Sequence, residues 1–128
     1  MKLLLDTHAF LWWALDSKEL SRKARRALSD VNNDVYVSAA TAWEVATKFR
    51  IGKLPDADQL AHSLSETLQR LGFLELPISI EHAERAGLMR IEHRDPFDRM
   101  LIAQSQAEGL VLVSNEEVFD TFNVQRLW

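Results

Sequence analysis

The stretch Leu3-Leu4-Leu5-Asp6-Thr7 places a carboxylate directly after three leucines. Consecutive apolar residues favour a strand that is buried on both faces, as in a parallel sheet. Because an unpaired carboxylate is very costly to bury, Asp6 must lie where this strand ends and water, a cation or a ligand begins. In open α/β sheets the ligand crevice lies at the carboxyl ends of the strands. Asp6 is therefore a candidate site residue.

The composition predicts one globular domain that spans residues 1–128, with 47% hydrophobic and 27% charged residues. The absence of cysteine excludes a disulfide framework, a thiolate metal site and a cysteine nucleophile, and it fits a reducing cytoplasm. No run approaches the ~18 apolar residues of a membrane helix, so we expect no membrane partner. A net charge of −4 means that any contact with nucleic acid must be local.

Strands alternate with helices along the chain, which predicts the α/β class with a mainly parallel sheet. The predicted strands cover residues 2–6, 35–38, 73–76, 110–113 and 124–127. The predicted helices cover residues 8–15, 22–28, 41–51, 58–71, 79–88 and 96–108, with a short turn or helix at 116–119. The clearest helix has Asp95 as its N-cap and Pro96 as its first residue, and it ends before Gly109.

Four carboxylates fall near the carboxyl ends of these strands. Asp6 follows the first strand, and Glu44 lies six residues after Ser38, where the second strand ends. Glu116 follows the apolar strand 110–113, and Asp98 lies in the first turn of the clearest helix. If the strands are parallel, Asp6, Glu44 and Glu116 lie at the same edge of the sheet. Asp98 joins them if its helix begins at that edge.

Carboxylates gathered in this way need a compensating charge. Two unit charges ~4 Å apart interact by about 4 kcal/mol at an effective dielectric near 20. No lysine or arginine lies at those strand ends, so the predicted compensation is a hard divalent cation, Mg²⁺, with Mn²⁺ as a possible substitute. Such a site activates a water and clamps phosphoryl oxygens. The acids therefore predict metal-assisted hydrolysis of a phosphodiester.

Four segments, taken in order, resemble the PIN-domain ribonucleases, in particular the VapC-like toxins of bacterial type II toxin–antitoxin modules. They are Leu3–His8, Ser38 with Trp43–Ala46, Arg94–Gln104 and Leu112–Glu116. The resemblance covers essentially the whole chain. It implies a three-layer α/β/α PIN-like fold and a Mg²⁺-dependent endoribonuclease that cleaves RNA. It also implies a small antitoxin partner, a homodimer, and a cytoplasmic location in a bacterium or archaeon.

By position, Asp6, Glu44 and Asp98 match the core acids of that family, which bind the metal and carry catalysis. The fourth position usually reads Thr-x-Asp, whereas this chain has Ser114-Asn115-Glu116. Serine can replace the threonine hydroxyl, but glutamate is one methylene longer than aspartate. The resemblance therefore adds Glu116 to the catalytic and metal-binding set and leaves open whether it ligates directly or through water.

Each acid also has a purely structural interpretation. Asp6 could be only the N-cap of the next helix. Glu44 could form a surface ion pair with Lys48, four residues further along a helix. Asp98 could simply complement a helix dipole. Glu116 could lie in a solvated turn.

Other residues are candidates for secondary roles. Four residues that flank the acids form a second tier of candidates: Asp95, Ser114, Thr7 and His8. Asp95 is interpreted first as a helix cap. Arg99 is a candidate for RNA contact, and so are three arginines of the basic helix: Arg22, Arg25 and Arg26. A basic helix of this kind is usually a solvated face. The histidines form no metal-ligand spacing. Trp12 and Trp13 are more often core than interface residues, but they point about 100° apart on a helix, so one of them could be exposed to a partner.

Two rival interpretations are kept. An aspartyl-phosphate enzyme or a receiver domain also places an aspartate after its first strand. The first would need a second aspartate where His8 stands, and the second would need a lysine where Ser114 and Asn115 stand. The other rival is a PIN-like module that binds RNA or protein with weak or no cleavage, which the departure at Glu116 leaves open.

Overall fold

The computed structural model describes residues 1–128 as five parallel strands with helices on both faces. The strands are β1 (Lys2–Leu5), β2 (Asp34–Ser38), β3 (Leu74–Leu76), β4 (Val111–Val113) and β5 (Arg126–Leu127). The helices are α1 (Thr7–Ala14), α2 (Arg22–Ser29), α3 (Ala39–Arg50), α4 (Asp58–His62), α5 (Leu64–Leu71), α6 (Ile80–Leu88) and α7 (Pro96–Glu108). Short 3₁₀ turns cover Pro55–Ala57 and Glu117–Phe122. None of the helices combines the length and the apolar character needed to cross a membrane.

The central strand β1 is buried on both faces, as its three leucines predict. Leu3 and Leu5 belong to a cluster of 17 buried residues on one side of the sheet. Leu4 points the other way, into a cluster of 6 buried residues that includes Leu101 and Ile102 of α7. Full burial of each leucine contributes about 1.5–3 kcal/mol. The predicted three-layer α/β/α arrangement is therefore confirmed, and β1 is fixed at its centre.

The sheet order β3-β2-β1-β4-β5 determines where a ligand can bind. The chain moves from β1 to β2 and β3 on one side, and then returns to place β4 and β5 on the other side. The order therefore reverses between β1 and β4, which pair in parallel with Leu5 opposite Val113. Open α/β sheets bind ligands outside the carboxyl ends of the strands at such a switch point. Asp6 lies there, and its backbone N–H donates to the carbonyl of Val113 at 3.1 Å.

Two helices begin directly at this edge, without a loop. Asp6 is the N-cap of α1, and Ser38, the last residue of β2, is the N-cap of α3. The Ser38 hydroxyl accepts from the backbone N–H of Ala40 at 3.0 Å. These caps place the first helix at Thr7 rather than at residue 8 and the third at Ala39 rather than at residue 41. Side chains in the first turns of α1 and α3 are thereby brought to the switch point.

The prediction of one helix over residues 58–71 is wrong, because Ser63 interrupts it. The backbone of Ser63 is not helical, with φ −142° and ψ 40°. Its hydroxyl donates to the carbonyl of Gln59 at 2.6 Å, and its own carbonyl accepts from the Thr67 hydroxyl at 3.0 Å. Serine and threonine side chains compete in this way with backbone helix bonds. The segment therefore forms two short helices, α4 and α5.

Arg99 on α7 holds the segment that precedes this helix. Its guanidinium makes five hydrogen bonds, all to backbone carbonyls, namely those of Ala86, Met89, Ile91 and His93. A planar fork with several fixed donors suits this arrangement. The N–H groups of Arg99 are thus directed into the protein, and neither of the two roles considered from the sequence, a phosphate contact or a solvated helix face, is what the structure shows. Arg99 instead fixes the path of the chain into the N-cap Asp95.

Replacing Arg99 by methionine is expected to lower the free energy of unfolding by about 2–4 kcal/mol, because several partly buried carbonyls lose their charged donor. Urea denaturation of both proteins measures the difference. Arg90→Met is the matched control, since Arg90 is an exposed arginine with no hydrogen bond in the same segment. A loss at Arg99 no larger than the loss at Arg90 would contradict the assigned role.

Candidate active site at the carboxyl edge of the sheet

Asp6 ends β1, begins α1 and is almost completely buried. Only 4% of the residue is exposed, and its Oδ1 accepts from the backbone N–H of Ala9 at 2.7 Å. Burial raises the pKa of Asp6 to about 6, although hydrogen bonds from Ser114 and Ala9 oppose the rise. The capping interpretation is thus confirmed. A cap uses one carboxylate oxygen, so it is compatible with a second role for the same side chain.

Asp98 lies in the first turn of α7 and is joined to a histidine. Its Oδ2 lies 2.8 Å from Nε2 of His93. Burial raises the pKa of Asp98 to about 6, the His93 hydrogen bond opposes this, and the charges of Asp95 and Glu116 add to the rise. A carboxylate that only complemented a helix dipole would stay in solvent. Asp98 instead points into a partly buried site.

Asp95 has the capping role that the sequence predicts. Its Oδ1 accepts from the backbone N–H groups of Phe97 and Asp98, at 2.9 Å and 3.2 Å. The residue is exposed, and its charge reaches Asp98. Asp95 therefore sets the start of α7, and through it the position of Asp98.

Glu116 interacts electrostatically with both Asp6 and the partly buried Asp98. The Ser114 hydroxyl accepts from its backbone N–H at 3.0 Å, which holds the turn after β4. The charge of Glu116 raises the pKa of both Asp6 and Asp98. Its Oε1 lies 3.8 Å from Nδ1 of His8. The longer glutamate side chain therefore stands within electrostatic reach of both acids.

Glu44 is buried on α3, and both of its carboxylate oxygens have partners. Only 5% of the residue is exposed. The Thr7 hydroxyl donates to Oε1 at 2.6 Å, and it also lies 3.3 Å from the Thr41 hydroxyl. The ammonium of Lys48 donates to Oε2. The pair with Lys48 thus exists, but Glu44 belongs to the interior of the site and not to a surface pair.

Lys48 corrects the expectation that no cation lies near these acids. Burial lowers its pKa, but the hydrogen bond and charge of Glu44 outweigh this, and the charges of Asp95 and Asp98 raise it further. The correction has a simple origin, because Lys48 lies one helical turn after Glu44, in the last turn of α3, and not at a strand end. The single positive charge of Lys48 compensates only part of the negative charge of the four carboxylates of the site, which are Asp6, Glu44, Asp98 and Glu116.

The donor set fits a divalent cation that keeps part of its water shell. No three acidic or histidine side chains converge closely enough to form a complete metal cage. Mg²⁺ does not need one, since it commonly binds one or two carboxylates together with several waters. Asp6 and Asp98 supply two carboxyl groups that burial makes costly to ionise. A divalent cation beside them would favour the ionised forms.

The basic helix α2 lies away from this site. Asn33, just before β2, donates to the carbonyl of Ala27 and accepts from the amino group of Met1, which ties α2 to the amino edge of the sheet. Arg25 donates to Asp16 and to the carbonyl of Ser17. Its neighbours on α2 are exposed, namely Arg22 and Arg26. The last turn of the basic helix is therefore tied to the amino edge of the sheet, opposite to Asp6, and none of its arginines contacts an acid of the site.

His93 and Lys48 are the two residues of the site that sequence reasoning missed. The sequence could have indicated Lys48, because its spacing from Glu44 is that of a helical ion pair. Nothing in the sequence pattern indicates His93, since it lies in an irregular segment and meets Asp98 only because Arg99 holds that segment.

Asp6→Asn is expected to stabilise the protein in metal-free buffer. The pKa of Asp6 is about 6 in the folded chain against an ordinary value of 3.8, so this carboxyl opposes folding least below pH 4 and increasingly as the pH rises to 6. Asparagine keeps the capping oxygen and removes the buried charge. The free energy of unfolding should rise by about 2–3 kcal/mol at pH 7.5 and by little at pH 4.

Urea denaturation in EDTA at the two pH values measures this effect. Asp56→Asn, at an exposed carboxylate in the turn Pro55–Ala57, serves as the control and should change stability little at either pH. No pH-dependent gain at Asp6, or an equal gain at Asp56, would show that burial of this charge does not oppose folding.

Comparison with known proteins agrees with the fold and the motif order. The PIN domain family model matches residues 3–124. Ribonuclease VapC16 of Mycobacterium tuberculosis (strain ATCC 25618 / H37Rv) is 38% identical over 64 residues, which are 50% of this chain and 44% of that protein. This chain thus spans less than half the length of that relative.

Two solved structures share the fold over nearly all of both chains. VapBC2 from Rickettsia felis, bound to a DNA fragment from its promoter, superimposes with a TM-score of 0.73 at 18% identity, over 99% of this chain and 98% of that one. A toxin-antitoxin complex from Klebsiella pneumoniae gives a TM-score of 0.65 at 21% identity, over 98% and 96%. Since the family model covers nearly the whole sequence, the chain belongs to the PIN domain family.

Proposed function

We propose that this chain is a Mg²⁺-dependent endoribonuclease that hydrolyses RNA phosphodiester bonds and acts as the toxin of a type II toxin–antitoxin pair. The observation that carries the proposal is the position of Asp6 and Asp98. Burial, nearly complete for Asp6 and partial for Asp98, raises the pKa of each to about 6; Asp6 lies at the switch point of the parallel sheet, and the charge of Glu116 reaches both carboxyls. Membership of the PIN domain family and the similarity to a ribonuclease support this assignment.

In this proposal Asp6 and Asp98 hold the metal, and Glu116 completes the site directly or through a bound water. Mn²⁺ is a possible substitute for Mg²⁺. When bound, the ion would supply a water of lowered pKa and would stabilise charge on the phosphoryl oxygens. Reaction at the metal-bound site needs no covalent intermediate with a side chain.

The chain's own residues orient these acids. The backbone N–H of Ala9 and the Ser114 side chain fix Asp6, and His93 fixes Asp98. Carboxylates held in this way need little rearrangement when charge develops on the substrate, which is the basis of electrostatic catalysis. The outer partners of metal ligands commonly matter for this reason.

Glu44 is the fourth acid of the proposed catalytic set, and its contacts suggest how it acts. Thr7 is the first residue of α1 and Lys48 lies in the last turn of α3, so the carboxylate of Glu44 ties the start of α1 to α3 beside the site. Glu44 thereby holds Lys48 near Asp95 and Asp98. We assign Glu44 a supporting role beside Asp6 and Asp98. Glu44 would have to release Lys48 before it could bind a metal itself.

The proposed partners follow from the same assignment. The Klebsiella pneumoniae structure that shares this fold is a toxin-antitoxin complex, which supports a small antitoxin as the partner of this chain. A basic side chain of such a partner would neutralise the acids that Lys48 leaves uncompensated. A homodimer and a cytoplasmic location complete the proposal.

Cleavage should depend on a divalent metal and on Asp98. Incubation of the purified chain with total RNA and Mg²⁺ should give discrete fragments on a denaturing gel. EDTA should abolish them, and Asp98→Asn should slow their appearance by at least about 100-fold, because a buried electrostatic group of the site is lost. The same substitution should relieve growth arrest when the chain is expressed alone.

Asp95→Asn is the matched control, since asparagine keeps the cap of α7 and leaves Asp98 in place. It should retain activity within about tenfold, as expected for loss of an exposed charge. Cleavage that survives both EDTA and Asp98→Asn would exclude the metal mechanism. If the intact chain binds RNA and never cuts it, the non-cleaving PIN-like module is the correct interpretation.

A further inference from the structure

Three aromatic side chains form a continuous row beside the acids: His8, Trp12 and Trp128. The rings of His8 and Trp12 are stacked, with centroids 5.5 Å apart and planes inclined by 28°. Trp128, which follows β5, packs on Trp12 at 5.7 Å. Trp12 and Trp128 are half-buried against the larger core cluster, so they form a firm support. The side chain of His8 nevertheless remains 51% exposed.

The exposed end of this aromatic row lies at the proposed site of hydrolysis. His8 is two residues after Asp6, and its charge acts on that carboxyl. Its Nδ1 lies 3.8 Å from Oε1 of Glu116. A group that stacked on the open side of His8 would therefore lie next to anything bound between Asp6 and Glu116.

The arginines considered as candidates for RNA contact do not contact the acids at this edge. Arg99 uses its N–H groups on backbone carbonyls, and α2 lies at the opposite edge of the sheet. Lys48 is occupied by Glu44. The net charge of −4 does not favour tight binding through phosphate neutralisation over the whole chain. Contacts that do not need charge are a further source of affinity.

We propose that the exposed face of His8, supported by Trp12, stacks on the nucleobase next to the scissile phosphate and thereby positions the RNA at the acids. The inference rests on the proposed function and adds a substrate-positioning residue to it. Aromatic side chains bind unstacked bases in this way, whereas paired bases are not available. The interaction tolerates different bases, because every base has a π-face.

Binding of two dodecamers tests the stacking. One is oligoadenosine, and the other has the same phosphate backbone without bases; both carry a fluorophore, and polarisation gives their Kd. All proteins carry Asp98→Asn to prevent cleavage during the measurement. The reference chain should bind oligoadenosine about tenfold more tightly than the abasic strand, as expected for one stacked base.

Substitutions at His8 separate stacking from charge. His8→Ala should remove the preference for oligoadenosine, and His8→Phe should keep it, since phenylalanine retains a ring and no charge. His62→Ala is the matched control, because His62 is also an exposed histidine beside an aromatic ring, Phe49, and lies on α4 away from the acids. It should leave the preference unchanged.

Three results would overturn the inference. The preference could persist in His8→Ala; His8→Ala could weaken both strands equally, which would indicate a phosphate contact; or His8→Ala could change self-association alone, which would assign the row to a protein interface. A separate control uses the chain without Asp98→Asn. If it cleaves RNA with Mg²⁺ and the preference is independent of His8, only the stacking proposal fails. If it neither binds nor cleaves RNA, the proposed function itself fails.

Discussion

The burial of Asp6 at the end of β1 is the constraint on which the site depends. Three leucines fix β1 between two cores, so the strand must end sharply where its first charge appears. Asp6 then bonds to β4 through its backbone and to α1 through its side chain. Since the sheet order reverses between β1 and β4, this carboxyl can only face the crevice at the carboxyl edge.

The remaining acids reach this crevice by different routes, and their charges are only partly balanced. Ser38 ends β2 and caps α3, which places Glu44 and Lys48 together. Arg99 and the cap Asp95 set the start of α7 and with it Asp98. A protein optimised for stability alone would not raise the pKa of two carboxyls that share the charge of Glu116. Such strain is typical of a functional site, where it prepares the site for a charged ligand.

Much of this arrangement could be predicted from the sequence because it depends on local rules. The apolar run before Asp6, the Asp95-Pro96 cap and the turn at Ser114 each indicate where an element begins or ends, and the parallel sheet then brings their ends together. Contacts between distant segments left no such signal. His93 meets Asp98 through an irregular segment held by a guanidinium, and nothing in the spacing of Arg99 indicates that role.

The position of the basic helix α2 and the interruption of the helix predicted over residues 58–71 could not be predicted, because both depend on contacts that the sequence pattern does not show. A cluster of arginines on α2 indicates a charged face, but only the contact between Asn33 and the chain start shows which edge of the sheet it occupies. The interruption of residues 58–71 depends on a serine hydroxyl that competes with the helix at one position, although serine also occurs within helices. Local patterns therefore predicted the elements and the acids, while the placement of cations required the tertiary structure.

Anomalous diffraction from crystals grown with Mn²⁺ tests the central claim most directly, because it locates the metal relative to the acids. The account predicts a peak between Asp6 and Asp98, at about 2 Å from a carboxylate oxygen of each. Asp98→Asn crystals grown in the same way should lose or strongly weaken this peak. A well-ordered site with no peak there, or a peak only beside Glu44 with Lys48 displaced, would contradict the account.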